Sequence, residues 1–335
     1  MQNILPSKIV KFLQKEKISF YNFKLLEQDA SQRKYYRIFL KNSTMQYIVM
    51  DCPVTYISIM PFVHIAEFLY AYNISVPYIF AIDEAEGLLL LEDFGDLTVS
   101  KLLNRIDPKT IPALYKEMIK PIVVIQNLPK NLDLEIQNFD ENTIKIGCKY
   151  FINHYVKELN PRYELNILLL EYTKILTNMF NSLPKIKTIL LLKDYHISNI
   201  MYLSNRTDIR KFGLLDFQDA SFGSPAFDLV CLIQDARFDL DLEYEDTFID
   251  YFLSINPTWY NKEEFKHHYY ILGTHRSLLL LGIFMKKYKQ DHQAYYLKFI
   301  PRVKKCLKHN FNNYGYLLEL KNWLIDNNLF DYVCN

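Results

Sequence analysis

The sequence predicts an α+β protein in two lobes, a small one built on an antiparallel sheet and a larger helical one. Three features predict it. Up to residue 95, short apolar runs are separated by polar clusters such as EQDASQRK and KNSTMQ. Beyond Gly95 apolar residues recur at helical spacing in long segments. No Gly- or Ser-rich linker lies between the two regions, so the lobes are expected to be closely apposed. The boundary falls at Leu91-Glu92-Asp93-Phe94-Gly95-Asp96, which gives an N-terminal lobe over 1–95 and a C-terminal lobe over 96–335.

The elements follow in order. Ser7 to Glu16 carries apolar residues at helical spacing (Ile9, Val10, Phe12, Leu13). Ile18 to Leu26, Tyr35 to Leu40 and Tyr47 to Cys52 read as strands of a meander. Met60 to Tyr72 repeats its apolar positions at Phe62, Val63, Ala66, Leu69 and Tyr70, as a helix does, and Pro77 then breaks the pattern. Tyr78 to Ile82 and Leu88 to Leu91 read as two further strands around the acidic turn DEAEG. Helices are expected over Leu97 to Leu103, Ile111 to Gln126, Phe139 to Leu159 and Glu164 to Leu183, and again from Phe227 onward.

Composition excludes several classes of protein. Half of the 335 residues are hydrophobic, ample for a sizeable core, and the net charge of +1 gives no global field for nucleic acid or an anionic membrane. The five cysteines (Cys52, Cys148, Cys231, Cys306, Cys334) are scattered without metal-site spacing and read as reduced thiols. The adjacent His267 and His268 would point to different faces of a helix and make no metal pair. The N-terminus is interrupted by Pro6, Lys8, Lys11 and Lys15, unlike a signal peptide. The apolar run Ser277 to Met285 is far shorter than the ~20 residues of a membrane helix. A soluble, cytoplasmic protein is expected.

The most informative stretch is 189–219, ILLLKDYHISNIMYLSNRTDIRKFGLLDFQD. It holds D-x-x-x-x-N (Asp194, Asn199), and then an apolar strand that ends in Asp216-Phe217-Gln218. Phosphoryl transfer to a hydroxyl needs these groups in this order: a carboxylate to receive the proton, an amide oxygen for magnesium, and a second carboxylate for the metal on the nucleotide phosphates. It asks for positioning and charge neutralisation more than covalent chemistry. Alone, Asp194 would read as a turn or N-cap aspartate; its spacing to Asn199 and Asp216 lifts it above that. A carboxylate at a strand end beside Asp219 is costly without a compensating cation, and magnesium is a natural partner.

Other residues gather round this frame. His196 is expected to steady the loop through its ring nitrogens. Gln218 and Asp219 either touch substrate or support those that do. Asp228 opens the helix FDLVCLIQDA, where capping and loop bracing are expected before direct catalysis. The turn 29–34, DASQRK, is rich in donors; Ser31 and Arg33 could grip phosphate, although the turn has no glycine. YIVMDC reads as the strand on which kinases carry a phosphate-pairing lysine, with Met50 or Asp51 in that place.

The blocks DASQRKYYRI, YIVMDCP, LLLLEDFGD, KDYHISNIMYL and GLLDFQDASFGSPAFDLVCLIQDAR resemble the aminoglycoside phosphotransferase superfamily, which shares the protein-kinase-like fold. Within it they are most similar to the bacterial anomeric kinases of N-acetylmuramate and N-acetylglucosamine, which serve cell-wall recycling. The resemblance implies a bilobal kinase-like fold, ATP and magnesium, Asp194 as catalytic base, Asn199 and Asp216 as metal ligands, and an ATP site at Glu92, Asp93 and Phe94. It implies an amino-sugar acceptor, with no nucleic-acid or membrane partner. Arg237, Arg276 and Lys286 are the cations available for a muramate carboxylate. Two features depart from the superfamily: Leu192 stands where a His precedes the base by two residues, and the strand lysine is missing. Arg33 is the expected substitute. Two other readings stay open. One is a kinase of this fold acting on an aminoglycoside, choline or another sugar, for which the acidic run 239–246 (DLDLEYED) would suit a cation, although it reads more simply as a solvated loop and helix start. The other is a nucleotide-binding pseudokinase.

Overall fold

The computed structural model describes residues 4–26, 33–41, 43–53, 58–129, 136–159, 163–258 and 260–335. The chain forms two compact units. One is drawn from Met1–Val99 and Asn199–Asp219; the other takes Ser100–Asn131, Glu135–Ser198 and Ala220–Asn335.

The first unit contains helix α1 (Ser7–Lys15), strands β1 (Phe20–Leu25), β2 (Lys34–Leu40) and β3 (Gln46–Asp51), helix α2 (Met60–Ala71), and strands β4 (Ile79–Asp83) and β5 (Leu88–Glu92). The five strands form one antiparallel sheet in the order β1-β2-β3-β5-β4. The stripe Ile9, Phe12 and Leu13 of α1 packs with Tyr36, Ile38, Val49, Leu88 and Leu90, so one sheet face is closed by α1. Lys8 Nζ lies 2.6 Å from Asp51 and puts Asp51 on that face. Side chains alternate along a strand, so Met50 points the other way, and its cross-strand partner Tyr35 points with it. Met50, fully buried, therefore occupies the inward position that the sequence left open between it and Asp51.

Two short strands, Ile200–Tyr202 and Phe212–Leu214, pair with each other and complete the first unit. Tyr202 N donates to Leu97 O, and Leu214 N to Ser75 O. The first of these pairings explains why the expected helix at Leu97 starts at Val99: Leu97 and Thr98 bridge to a strand instead.

The second unit is mostly helical. Its helices include Ile111–Gln126, Glu141–Tyr150, Leu165–Asn181, Ala226–Ile233, Glu245–Ile255, Lys262–Lys289 and Ile300–Asn313, with one antiparallel strand pair, Ile189–Leu191 and Ser221–Gly223. The expected helix over 139–159 is divided. It starts at Glu141 because Asp140 Oδ1 accepts from the N–H groups of Asn142 and Thr143, and Phe151–Val156 forms a π-helical turn. That turn buries Phe151, Ile152, Tyr155 and Val156 together, a wider apolar face than an α-helical stripe offers. The run 239–246 does lead into a helix, Glu245–Ile255, as expected, but it is not simply solvated. Glu245 is buried and accepts from Gln234, Tyr269 and Tyr270, with His309 Nε2 at 2.8 Å. All five cysteines are free and buried. Among the described residues no helix is long and apolar enough to cross a membrane.

Candidate active site

In the second unit, the loop that carries Asp194 is held from below by one helix. Asp228, at the third position of helix Ala226–Ile233, accepts from Leu192 N (2.9 Å) and Lys193 N (3.0 Å). Three residues on, the Cys231 thiol donates to Lys193 O at 3.0 Å. Four residues further, Asp235 Oδ2 accepts from Ile197 N at 3.2 Å. Asp228 and Cys231, three residues apart, lie on one helix face, and Asp235 follows two residues past the helix end. Lys193 has a φ of +65°, unusual for a residue with a side chain, and the pins on both its N–H and its carbonyl hold it there. Asp194 N donates to Leu192 O, and His196 N to Asp194 O, which closes the turn and leaves Asp194 half-buried. Asp228 thus braces the loop, and its carboxylate makes no bond to its own helix start.

The electrostatics follow from burial. Desolvation pushes the Asp228 carboxyl up to about 7, against the two N–H groups that favour the anion, and the nearby Asp194 adds to the rise. His196 is buried, and burial together with the Arg237 charge drives its pKa down to about 3, so it is neutral. Its Nδ1 has no hydrogen-bond partner among the described residues, so that nitrogen steadies nothing in the loop. Burial would raise the Asp235 carboxyl, yet the Arg237 charge, with that of Arg276, outweighs this and holds it below the ordinary range. Arg276 is buried and feels both Asp235 and Asp194.

In the first unit, Asn199 and Asp216 come together. Asn199 Nδ2 lies 3.4 Å from Asp216 Oδ2, and Asn199 O accepts from Leu215 N. Asp216 is exposed and has a φ of +59°. Gln218, buried, donates to Asp216 Oδ1 (2.8 Å) and Asp219 Oδ2 (3.1 Å), tying the two carboxylates together. Phe217 stacks on Phe62 of α2 with ring centroids 4.8 Å apart, which anchors the segment. The donor set fits magnesium: hard oxygens from one or two carboxylates and an amide leave room for water and phosphate.

Arg33 and Tyr35 belong to the same region. Burial raises the Tyr35 hydroxyl to about 12; the Arg33 charge works against this rise and the Asp216 charge adds to it, so both lie within electrostatic reach of one phenol. Ser31 lies outside the described residues. At the 92–96 segment the side chains are committed to protein partners. Arg37, buried, pairs with Asp93 and Asp96 and donates to Gly95 O. Glu92 pairs with Arg206, whose guanidinium lies 5.2 Å from the Phe94 ring centroid. A Cβ on Gly213 would come within 2.7 Å of that ring. Backbone groups are what this segment can offer a nucleotide. A cleft of about 470 Å³ beside it is lined by Tyr47, Tyr70, Tyr78, Phe80 and Arg206, on the α1 face of the sheet rather than the Met50 face.

Sequence reasoning missed the loop-bracing roles of Asp235 and Cys231. For Cys231 the signal was available in FDLVCLI, where the thiol follows Asp228 by three residues on one helix face; Asp235 lies two residues past the end of that helix, where periodicity gives no facing.

The family model "Phosphotransferase enzyme family" matches residues 22–265. The chain is 31% identical over 273 residues to the N-acetylmuramate/N-acetylglucosamine kinase of Caulobacter vibrioides, covering 78% of this chain and 73% of that protein. A kinase with the same description from Neisseria meningitidis is 26% identical over 307 residues, 89% of this chain and 88% of that one. Among solved structures, choline kinase LicA from Streptococcus pneumoniae superposes with a TM-score of 0.64 at 16% identity, over 91% of this chain and 98% of that one. The ADP-bound aminoglycoside phosphotransferase APH(2'')-Ib gives 0.61 at 15% identity, over 90% and 99%. These likenesses show a shared protein-kinase-like α+β fold. With the family model spanning well over half of its length, the chain belongs to the phosphotransferase enzyme family.

Proposed function

We propose that the chain is an ATP-dependent kinase of the anomeric hydroxyl of N-acetylmuramate and N-acetylglucosamine, working in peptidoglycan recycling in the cytoplasm. The observation that carries the chemistry is the pinned Asp194 loop: two buried carboxylates and a thiol fix its backbone while Asp194 itself stays half-exposed. The relatives named above support the substrate.

In this reading Asp194 accepts the proton of the sugar 1-hydroxyl as that oxygen bonds to the γ-phosphorus. The bond from phosphorus to the β–γ bridging oxygen breaks, and ADP leaves with the electron pair. Asn199 and Asp216 hold magnesium, with Gln218 and Asp219 keeping Asp216 in place. When bound, the ion supplies charge neutralisation at the phosphates. Arg33, beside Tyr35 and Asp216, takes part of the task of the missing strand lysine; Ser31 would donate to the same phosphates. The backbone of Glu92, Asp93 and Phe94 receives the adenine.

The acidic run also favours a sugar over a cationic acceptor. Asp239 is paired with Arg302 and Lys305, Asp246 with Lys266, and Glu245 is buried among its donors. Three of its five acids are thus already answered within the protein. The test is a magnesium-ATP assay against N-acetylmuramate, N-acetylglucosamine, choline and kanamycin, with phosphorus NMR of the product. A sugar 1-phosphate is expected. Phosphate on another hydroxyl or another acceptor would overturn the substrate, and ATP binding without transfer to any of them would leave a pseudokinase.

A further inference from the structure

We propose that Arg237 recognises a carboxylate on the acceptor sugar and so sets the preference between N-acetylmuramate and N-acetylglucosamine. This rests on the sugar-kinase reading above. The two sugars differ by one lactyl ether, which adds a single carboxylate to muramate. A guanidinium meets a carboxylate with a planar fork of donors.

The placement of Arg237 is built, not incidental. Asp235, buried, spends Oδ1 on Arg237, accepting from its N–H at 3.0 Å and its Nη1 at 3.2 Å. The other oxygen, Oδ2, accepts from Ile197 N, three residues beyond Asp194. One carboxylate therefore fixes both the arginine and the loop that presents the proposed base. The Arg237 guanidinium carbon lies 5.9 Å from the Phe299 ring centroid, which further limits its swing. Among the described residues its ion pair is with Asp235 alone, through Nη1, and its side chain keeps 18% of its surface exposed. Arg276, the other cation here, is only 6% exposed and faces Asp235 and Asp194, so it serves the loop instead. Beside Arg237 stands His196, buried and neutral, so it brings no second charge to the site. The arrangement offers one reachable cation tied through Asp235 to the loop of Asp194, as a sugar with a carboxylate close to its reacting hydroxyl requires.

The test is the ratio of kcat/KM for N-acetylmuramate to that for N-acetylglucosamine in the full-length protein, for wild type, Arg237→Ala and Arg237→Lys. A lost charge-assisted contact should lower the ratio about tenfold to a hundredfold in Arg237→Ala, carried by KM. Arg237→Lys, which keeps the charge and is the milder change for folding, should recover part of it. An unchanged ratio in both variants, with kcat falling equally for the two sugars, would make Arg237 a mere brace for Asp235 and overturn the proposal. Wild-type protein that phosphorylates neither sugar would instead overturn the sugar-kinase reading, and this proposal with it.

Discussion

Asp228 shows how much one carboxylate organises. It is buried, and its two oxygens each take a backbone N–H from the Asp194 loop. An amide in its place can accept one of those bonds but sets its own NH2 against the other donor. Asp228→Asn should therefore cost about 1–3 kcal/mol of stability, the penalty of a buried donor left unmade. It should also lower kcat by loosening the loop. Chemical denaturation and steady-state kinetics on the same preparation check both; a variant as stable and as active as wild type would remove the bracing role. That the residue starts a helix was legible in the sequence. Its true partners, 35 and 36 residues earlier in the chain, were not, because a helix-start aspartate looks the same whether it caps its own helix or reaches another segment. Glu245 was misread for a related reason. Its neighbours in sequence are acidic, and only the long-range arrival of Tyr269, Tyr270 and His309 makes it a buried acceptor.

At the scale of elements, close backbone approach decides the packing of the long helix Lys262–Lys289. A Cβ on Gly282 would collide with the carbonyl of Tyr150 and the amide of Phe151, where the α-helix passes into the π-helical turn. Both obstacles are backbone, so neither can swing away. Gly282→Ala should lower the unfolding free energy by about 1–3 kcal/mol through overpacking, outweighing the better helix propensity of alanine. Urea denaturation measures this directly, and a variant at least as stable as wild type would show that the helices can part without loss. That this region is helical was expected from Phe227 onward, although the helix is buried on nearly every side of its middle and shows no one-sided stripe. The glycine contact and the π turn were not, since both depend on which segment lies opposite. The sheet was legible for the opposite reason: its strands follow one another closely, and alternation within each run carries the facing of its side chains. Met50 and Asp51 show the limit of that signal. Alternation says they face opposite ways, but it took Lys8 at Asp51 to show which way is which.

Across the whole molecule, burial of neutral histidines makes the fold sensitive to acid. His196 is driven down to about 3 and His275 to about 4, both by burial. An unfolded histidine titrates near 6.5, so between that pH and the folded values the unfolded state binds more protons, and stability falls as pH falls. Asp228 acts in the opposite sense: its raised carboxyl keeps a proton in the folded state from about pH 7 down to about 4, so its contribution grows as pH falls through that window. Burial also lowers His154, His267 and His268, so the histidines outnumber the one aspartate and acidification brings a net loss. Tm should be lower at pH 5 than at pH 7, and His275→Leu should flatten that difference; an equal difference in the variant would contradict the assignment. Asn199 and Asp216 belong to one compact unit and Asp194 to the other, the chain passing between them at Ser198 and Asn199. The D-x-x-x-x-N spacing and the strand-end Asp216 were visible in the sequence because all three residues sit within one short stretch. The direct test of the account is Asp194→Asn, with turnover of N-acetylmuramate and ATP affinity measured side by side. The account predicts that ATP binding and folding are retained while kcat falls about 10²–10⁴-fold, the usual loss on removing a general base. Turnover within a few-fold of wild type would contradict it.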